Sequence, residues 1–209
     1  MMDLKDVAWD NYVTLDFETT GLDPDMDAII EVGLLFVIGG KPEKPISWIV
    51  NPNYPDAYSV PEKIVEITGI TSEEVGAGAD PAVFYPSMVR LLSNVPIWGH
   101  NASQFDKKFL EYECSRLCII PPSDDRWFDT AALFKASKLK IIDELEYYNT
   151  FQQFADYVLD KRVKGLYYNL PYVCEELGIY IGDIPGWHRA GADIIGTMRI
   201  VEKFKEILF

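Results

Sequence analysis

Residues 12–17 read YVTLDF, in which Val13, Leu15 and Phe17 alternate with Thr14 and Asp16. A period of two belongs to a β-strand with one face in a core, and Glu18 extends the polar row beyond Asp16. Both carboxylates therefore leave the same face of the sheet. Like charges so close repel each other unless a proton or a cation sits between them, and hard divalent cations favour oxygen ligands of this kind. A short acidic pair at a strand end is also a common solvated surface feature, and for the pair in isolation that plain reading prevails.

Residues 19–24, TTGLDP, then read as a turn. Runs rich in β-formers follow at 29–38 and 46–50, separated by Gly39-Gly40-Lys41-Pro42, which predicts a three-stranded antiparallel meander. Helical patterns are expected at 81–92, 105–117, 150–159, 170–177 and 189–208, with short strands at 96–98 and near Trp127. The sum is an α/β fold, a mixed five-stranded sheet of one antiparallel meander plus parallel strands, flanked by helices. With 209 residues and no repeat or linker in view, one domain spanning 1–209 is expected. Residues 135–164 are the least readable part of the chain.

Composition narrows what such a fold can do. Hydrophobic residues make up 48% and charged residues 25%, which excludes disordered and low-complexity classes. The 19 Lys and Arg against 33 Asp and Glu leave a net charge of −14, so the summed field repels a polyanion and argues against nucleic-acid binding by bulk charge. Three cysteines cannot all pair, which favours a reducing compartment. The first residues carry acids where a secretion signal needs basic ones, and the longest apolar run, 32–38, is too short for a bilayer. A cytoplasmic, intracellular location without membrane attachment is expected. Cys114 and Cys118 lack the second pair that a tetrahedral metal site needs and are expected as buried thiols. Three basic groupings, Lys107/Lys108, Lys135/Lys138/Lys140 and Lys161/Arg162/Lys164, read first as solvated helix faces and second as a phosphate-binding surface.

Two further stretches carry chemistry. GHNASQFDKKFL, residues 99–110, passes from a strand end into a helix with Asp106 in its first turn, where the helix dipole favours an acid in any case. His100 in that stretch reads as a hydrogen-bonded packing residue. HRAGADIIGT, residues 188–197, opens the last helix. Residues five apart on one helix point in different directions, so His188 and Asp193 converge only if His188 lies on the preceding loop. Ile194, Met198, Val201, Phe204 and Leu208 form the buried stripe of that helix, which leaves Asp193 free to face a site. For Asp193 alone, capping or dipole stabilisation suffices.

Taken in order, LDFETTGL, HNASQFD and HRAGAD resemble the motifs of the DnaQ-like DEDDh family of 3′→5′ exonucleases, with a likeness that extends over residues 15–197. IVEITGIT at 64–71 and GLYYNLPYVCEELGI at 165–179 are lesser matches. The chain departs from the pattern in having one residue more between His100 and Asp106, in Thr68 where many relatives have His, and in Gly191 and Ile194. The resemblance implies a ribonuclease H-like fold in which Asp16, Glu18, Asp106 and Asp193 hold two Mg²⁺ or Mn²⁺ ions. It implies His188 as general base for a water that attacks the terminal phosphodiester, releasing 5′-nucleoside monophosphates. The backbone of Thr19, Thr20 and Gly21 and the side chain of Leu22 would meet the terminal nucleotide, with Asn101 and Phe105 as further positioning candidates.

Single-stranded or frayed 3′ ends are the implied substrate, DNA ahead of RNA, with an RNA-trimming or oligoribonuclease type as the alternative and a DNA polymerase or repair protein as a possible partner. A non-catalytic polymerase-accessory module is the alternative of another class, and the presence of all five candidate groups counts against it. Asp129, in the segment WFDT, has no local pattern that assigns it a role.

Overall fold

Strand β1 (Tyr12–Thr19) is the centre of the structure, a computed structural model that describes residues 3, 5, 7–184 and 186–209. On one side β1 pairs antiparallel with β2 (Ile29–Ile38), in a register that sets Asp16 opposite Gly33 and Glu18 opposite Glu31. The register slips between Glu18 and Thr19, a bulge that ends regular pairing beside the acidic pair. The far edge of β2 carries both β3 (Lys41–Pro42) and β4 (Ile46–Ile49). On its other side β1 runs parallel to β5 (Ile97–Gly99), which in turn runs parallel to β6 (Trp127–Asp129).

The mixed sheet therefore has six strands where the sequence predicts five. The additional one is β3, formed because Gly39 and Gly40, at φ of 58° and 72°, close the tight hairpin turn that needs two residues in the left-handed region. Two residues then pair back on β2 before the chain leaves the edge.

One face of the sheet buries Val13, Leu15 and Phe17 against α3 (Pro81–Leu92) and α4 (Asp106–Arg116). Helix α3 starts where the Asp80 carboxylate accepts from the Ala82 amide at 2.8 Å and Pro81 pre-sets the first turn. It then buries Tyr85, Met88, Val89 and Leu92 on one stripe. The opposite face packs on α5 (Thr130–Leu139), α6 (Phe151–Asp160), α7 (Leu170–Glu176) and α8 (Ala190–Leu208) around an aromatic knot in which Trp98 stacks on Phe128 at 5.1 Å. Two short helices, α1 (Glu62–Thr68) and α2 (Ser72–Gly76), close a small separate cluster with Ile30, Val60, Ile70 and Val75. No helix among the described residues is long and apolar enough to cross a membrane.

Several side chains depart from expectation. Lys107 and Lys135 are buried rather than solvated, Lys107 paired with Glu111 and Asp124, Lys135 donating to the Leu159 carbonyl at 2.8 Å. A lysine stem packs as well as an aliphatic chain once its ammonium has a partner, so a run of charge does not by itself mark a wet face. Of the three free cysteines, Cys114 and Cys174 are buried, whereas Cys118 has left the helix at φ 55° and is exposed.

Candidate active site

The polar row of β1 does not face open solvent. Thr14, Asp16 and Glu18 lie beneath the first turns of α8, whose approach is fixed at three points. The Thr14 hydroxyl lies 3.1 Å from the Ile194 carbonyl, to which it donates. Glu31, 1% exposed, accepts from the Ala190 amide at 3.0 Å and from both Nε and Nη2 of Arg189, at 3.0 and 2.9 Å. Gly33 completes the seat, because a Cβ there would stand 2.5 Å from the Ala190 carbonyl oxygen. The helix N-terminus therefore rests on strand backbone directly opposite Asp16, at a separation that only glycine permits.

This docking brings Asp16, Glu18 and Asp193 together, each half-buried, with one oxygen from each lying within 4.8 Å of the others. Asp106, 2% exposed at the start of α4, reaches the same strand from below, where its Oδ1 accepts from the Phe17 amide at 2.9 Å. That bond fixes Asp106 to the backbone between Asp16 and Glu18.

The arrangement opposes the ionisation of its own members. Burial, followed by Asp106, Asp193 and Glu18, holds the Asp16 carboxyl well above the usual carboxylate range. Glu18 is pushed up to about 8, first by burial and then by Asp193, with Arg189 working in the other direction. Burial raises Asp106 to about 7 against the opposing bond from Phe17, and raises Asp193 to about 6 against the opposing influence of His188. Asp193 Oδ1 is buried without a hydrogen-bond donor. Three carboxylates that meet around a donorless oxygen, with Asp106 near enough to raise Asp16, suit a hard divalent cation, which would satisfy that oxygen and relieve the repulsion together.

The two histidines differ sharply. His100 is locked: Nε2 lies 2.7 Å from the Tyr168 carbonyl, which can only accept, so Nε2 carries the proton, and Nδ1 lies 2.8 Å from Thr130 Oγ1. Burial depresses its basicity further. His188 is exposed, at φ 64° on the loop just before α8, with its backbone against the Asp193 carboxyl.

The remaining candidates sit around the C-terminal ends of the parallel strands. Thr19 Oγ1 donates to the Gly21 carbonyl at 2.6 Å, and the Thr20 hydroxyl accepts from the Ala28 amide at 2.9 Å, so both hydroxyls are used in shaping the turn after β1. Asp27 packs so close that a Cβ on Gly21 would overlap its carboxylate, and Leu22 stands out of this turn 84% exposed. Phe105 packs on Phe109 with the rings tilted and their centres 4.9 Å apart, at the entrance to α4. Asn101, at φ 61°, is held by its amide, which donates to Asp129 at 3.0 Å.

Sequence reasoning missed Glu31 and Arg189, and named Asp129 without assigning it a role. Asp129 is fully buried and accepts from the amides of Asn101, Ser103, Ala131 and Ala132 at 2.9–3.2 Å, tying the loop after β5 to the start of α5. Glu31 had left a trace, since an acid inside the apolar run IIEVGLLFVI needs a buried cation somewhere. Its partner was the arginine next to His188.

The exonuclease family model RNase_T matches residues 13–201. The chain is 34% identical over 125 residues to the PolC-type DNA polymerase III of Thermotoga maritima, covering 60% of this chain and 9% of that protein. It is 30% identical over 124 residues to the PolC-type DNA polymerase III of Bacillus subtilis, covering 59% and 8%. The chain thus spans less than a tenth of the length of these relatives. In solved structures, a zinc-bound complex of E. coli exonuclease I with single-stranded DNA superposes with a TM-score of 0.70 at 20% identity, covering 95% of this chain and 41% of that one. Product-bound exonuclease I gives 0.68 at 22% identity, covering 94% and 43%. The fold is shared with these exonucleases, a ribonuclease H-like sheet flanked by helices.

Proposed function

The chain belongs to the RNase_T exonuclease family, of the DnaQ-like type, and on that premise we propose that it is a single exonuclease domain that removes nucleotides from 3′ ends of single-stranded or frayed DNA. The observation that carries this reading is the meeting of Asp16 and Glu18 with Asp193, whose Oδ1 is buried without a donor. With Asp106 these residues would hold two Mg²⁺ or Mn²⁺ ions. When bound, such ions polarise the scissile phosphodiester, favour the ionised form of the attacking water and stabilise the departing oxygen.

The chain's own groups supply the rest. His188, on its exposed loop, accepts the proton of the attacking water as the bond to phosphorus forms. The P–O3′ bond breaks, leaving a 5′-nucleoside monophosphate and a strand one nucleotide shorter with a new 3′-hydroxyl. Arg189 and Glu31 set the loop that carries His188, and Phe17 and Asp129 set the loop and helix that carry Asp106. Leu22, projecting from the turn after β1, offers an apolar face to the terminal base, while the backbone of Thr19, Thr20 and Gly21 lines the same edge. Asn101 and Phe105 flank it from the loop after β5. An intracellular setting fits the three free thiols, and a polymerase partner would supply the affinity that an acidic chain lacks.

The test uses 5′-labelled single-stranded DNA and RNA of one sequence with Mg²⁺ or Mn²⁺, comparing this protein with Asp193→Asn. A ladder that shrinks from the 3′ end, stronger on DNA and abolished by chelator and by the substitution, is expected. Equal turnover in both preparations, or none in either, would overturn the reading.

A further inference from the structure

Four cations gather where the acidic composition gives no reason to expect them. Lys135, Lys161, Arg162 and Lys164 line a cleft of about 450 Å³ between the end of α6 and residues 161–168. The chain carries a net charge of −14, yet no ion pair neutralises any of the four among the described residues. Lys135 is 2% exposed, and its Nζ donates to the Leu159 carbonyl while lying 5.1 Å from the centre of the Tyr168 ring. An ammonium has three donors, so this one has capacity left for an anion in the cleft. Arg162 and Lys164 are exposed at its rim.

A relay of contacts leads from the cleft to the strand that carries Asp16. Tyr168, which forms part of its wall, receives the His100 Nε2 hydrogen bond on its carbonyl. His100 follows Gly99, whose Cβ position lies 3.4 Å from the carbonyl oxygen of Leu15, the residue before Asp16. Aromatic faces accompany the cations: Lys161 Nζ sits 3.9 Å from the centre of the Tyr157 ring, which neighbours that of Tyr148 at 5.6 Å. Cations interleaved with aromatic rings are the combination that holds a single strand by its phosphates and bases without reading sequence.

We propose that this cleft binds the phosphodiester backbone of the substrate DNA strand, upstream of the 3′ end seated at the carboxylates. The proposal rests on the exonuclease reading for its substrate and extends it by a second anchoring point, which offsets the repulsion that the rest of the surface exerts on a polyanion.

The charge-reversed pair Arg162→Glu/Lys164→Glu and the neutral pair Arg162→Gln/Lys164→Gln test it, since both side chains are exposed; thermal melting is expected to show the fold of both variants intact. Binding of fluorescein-labelled dT16 is measured by anisotropy in chelator across a salt series. The neutral pair is expected to bind about 10-fold more weakly at low salt, with the slope of log affinity against log salt reduced by about 1.4, the share of two phosphate contacts on a single strand. The charge-reversed pair should bind more weakly still. In the metal-loaded protein the rise in KM should be greater for dT16 than for a dinucleotide.

Unchanged affinity and salt slope would overturn the proposal, as would a KM penalty equal for both lengths, or competition by poly-glutamate as effective as that by oligothymidylate. Weakened dT16 binding in the variants, with a wild-type protein that cleaves nothing, would retain the cleft as a phosphodiester site and dismiss the exonuclease reading instead.

Discussion

Arg189 and Glu31 form a two-pronged ion pair in which Nε and Nη2 each take one carboxylate oxygen, at 3.0 and 2.9 Å. Because Glu31 is the cross-strand partner of Glu18 and Arg189 follows His188, this one pair joins the two halves of the candidate site. Removing the guanidinium leaves a buried carboxylate held by the Ala190 amide alone. Arg189→Ala is expected to cost about 3 kcal/mol, toward the low end for a broken buried pair because Arg189 is itself partly exposed. Denaturant unfolding checks this, and Arg189→Lys should recover only part of the loss, since an ammonium cannot repeat the fork. Turnover should fall with the alanine variant through kcat more than through KM.

Asp193→Asn should separate stability from activity. The substitution removes one of four repelling carboxylates, so without metal at pH 8 the variant is expected to melt a few degrees higher than the wild type. Exonuclease turnover should fall by about 10²–10³-fold or more, as when one electrostatic stabiliser of a transition state is lost. A variant that melts lower without metal would contradict the origin assigned to the raised carboxyls.

The same repulsion gives a pH dependence with a definite sign. Glu18 at about 8, Asp106 at about 7 and Asp193 at about 6 all stand above unfolded carboxylates at roughly 4, so the native state binds more protons across that window. Stability of the metal-free protein is therefore lost as pH rises through these values. The lowered His100 acts oppositely, but only as pH falls below its unfolded value. Between pH 6.5 and 8.5 the net loss is expected to be on the order of 3 kcal/mol, read as a falling melting temperature in chelator. Saturating Mg²⁺ should raise the melting temperature more at pH 8.5 than at 6.5.

Gly33→Ala tests the seat of α8. The new methyl would meet the Ala190 carbonyl at 2.5 Å, a backbone atom that cannot turn aside, so the helix must lift. A loss of about 1–3 kcal/mol is expected, with activity reduced because Asp193 and His188 ride on the displaced segment. Gly191→Ala is the control: its nearest neighbour would be Ser47 at 3.6 Å, an ordinary separation, and a change of less than about 0.5 kcal/mol is expected.

Legibility in the sequence followed the strength of the periodic signal. Strand β1 and helix α8 were readable because Val13, Leu15 and Phe17, or Ile194, Met198 and Val201, stand out at regular spacing, and β2 because it is an unbroken run of β-formers bounded by turn residues, buried on both faces. Helix α5 was not, because all of its first seven residues are buried, Lys135 included, and a segment enclosed on every side has no stripe. With 7 and 5 residues, α1 and α2 are too short to display a period, although Thr71 and Glu74 form a complete capping box. In the site, the acids at Asp16, Glu18, Asp106 and Asp193 and the free ring of His188 were nameable from motif order alone. The groups that hold them were not, since the pairing of Glu31 with Arg189, and of Asp129 with four amides, exists only once distant segments have met.

The Asp129 carboxylate has a consequence for how this edge opens. Its four amide donors belong to two segments, the loop after β5 and the first turn of α5, and no one of them can exchange its hydrogen with solvent by local fraying while the side chain stays in place. Asn101, Ser103, Ala131 and Ala132 accordingly share one opening event, with one free energy, and the loop that leads into Asp106 inherits the rigidity of a helix start to which it is not adjacent in sequence.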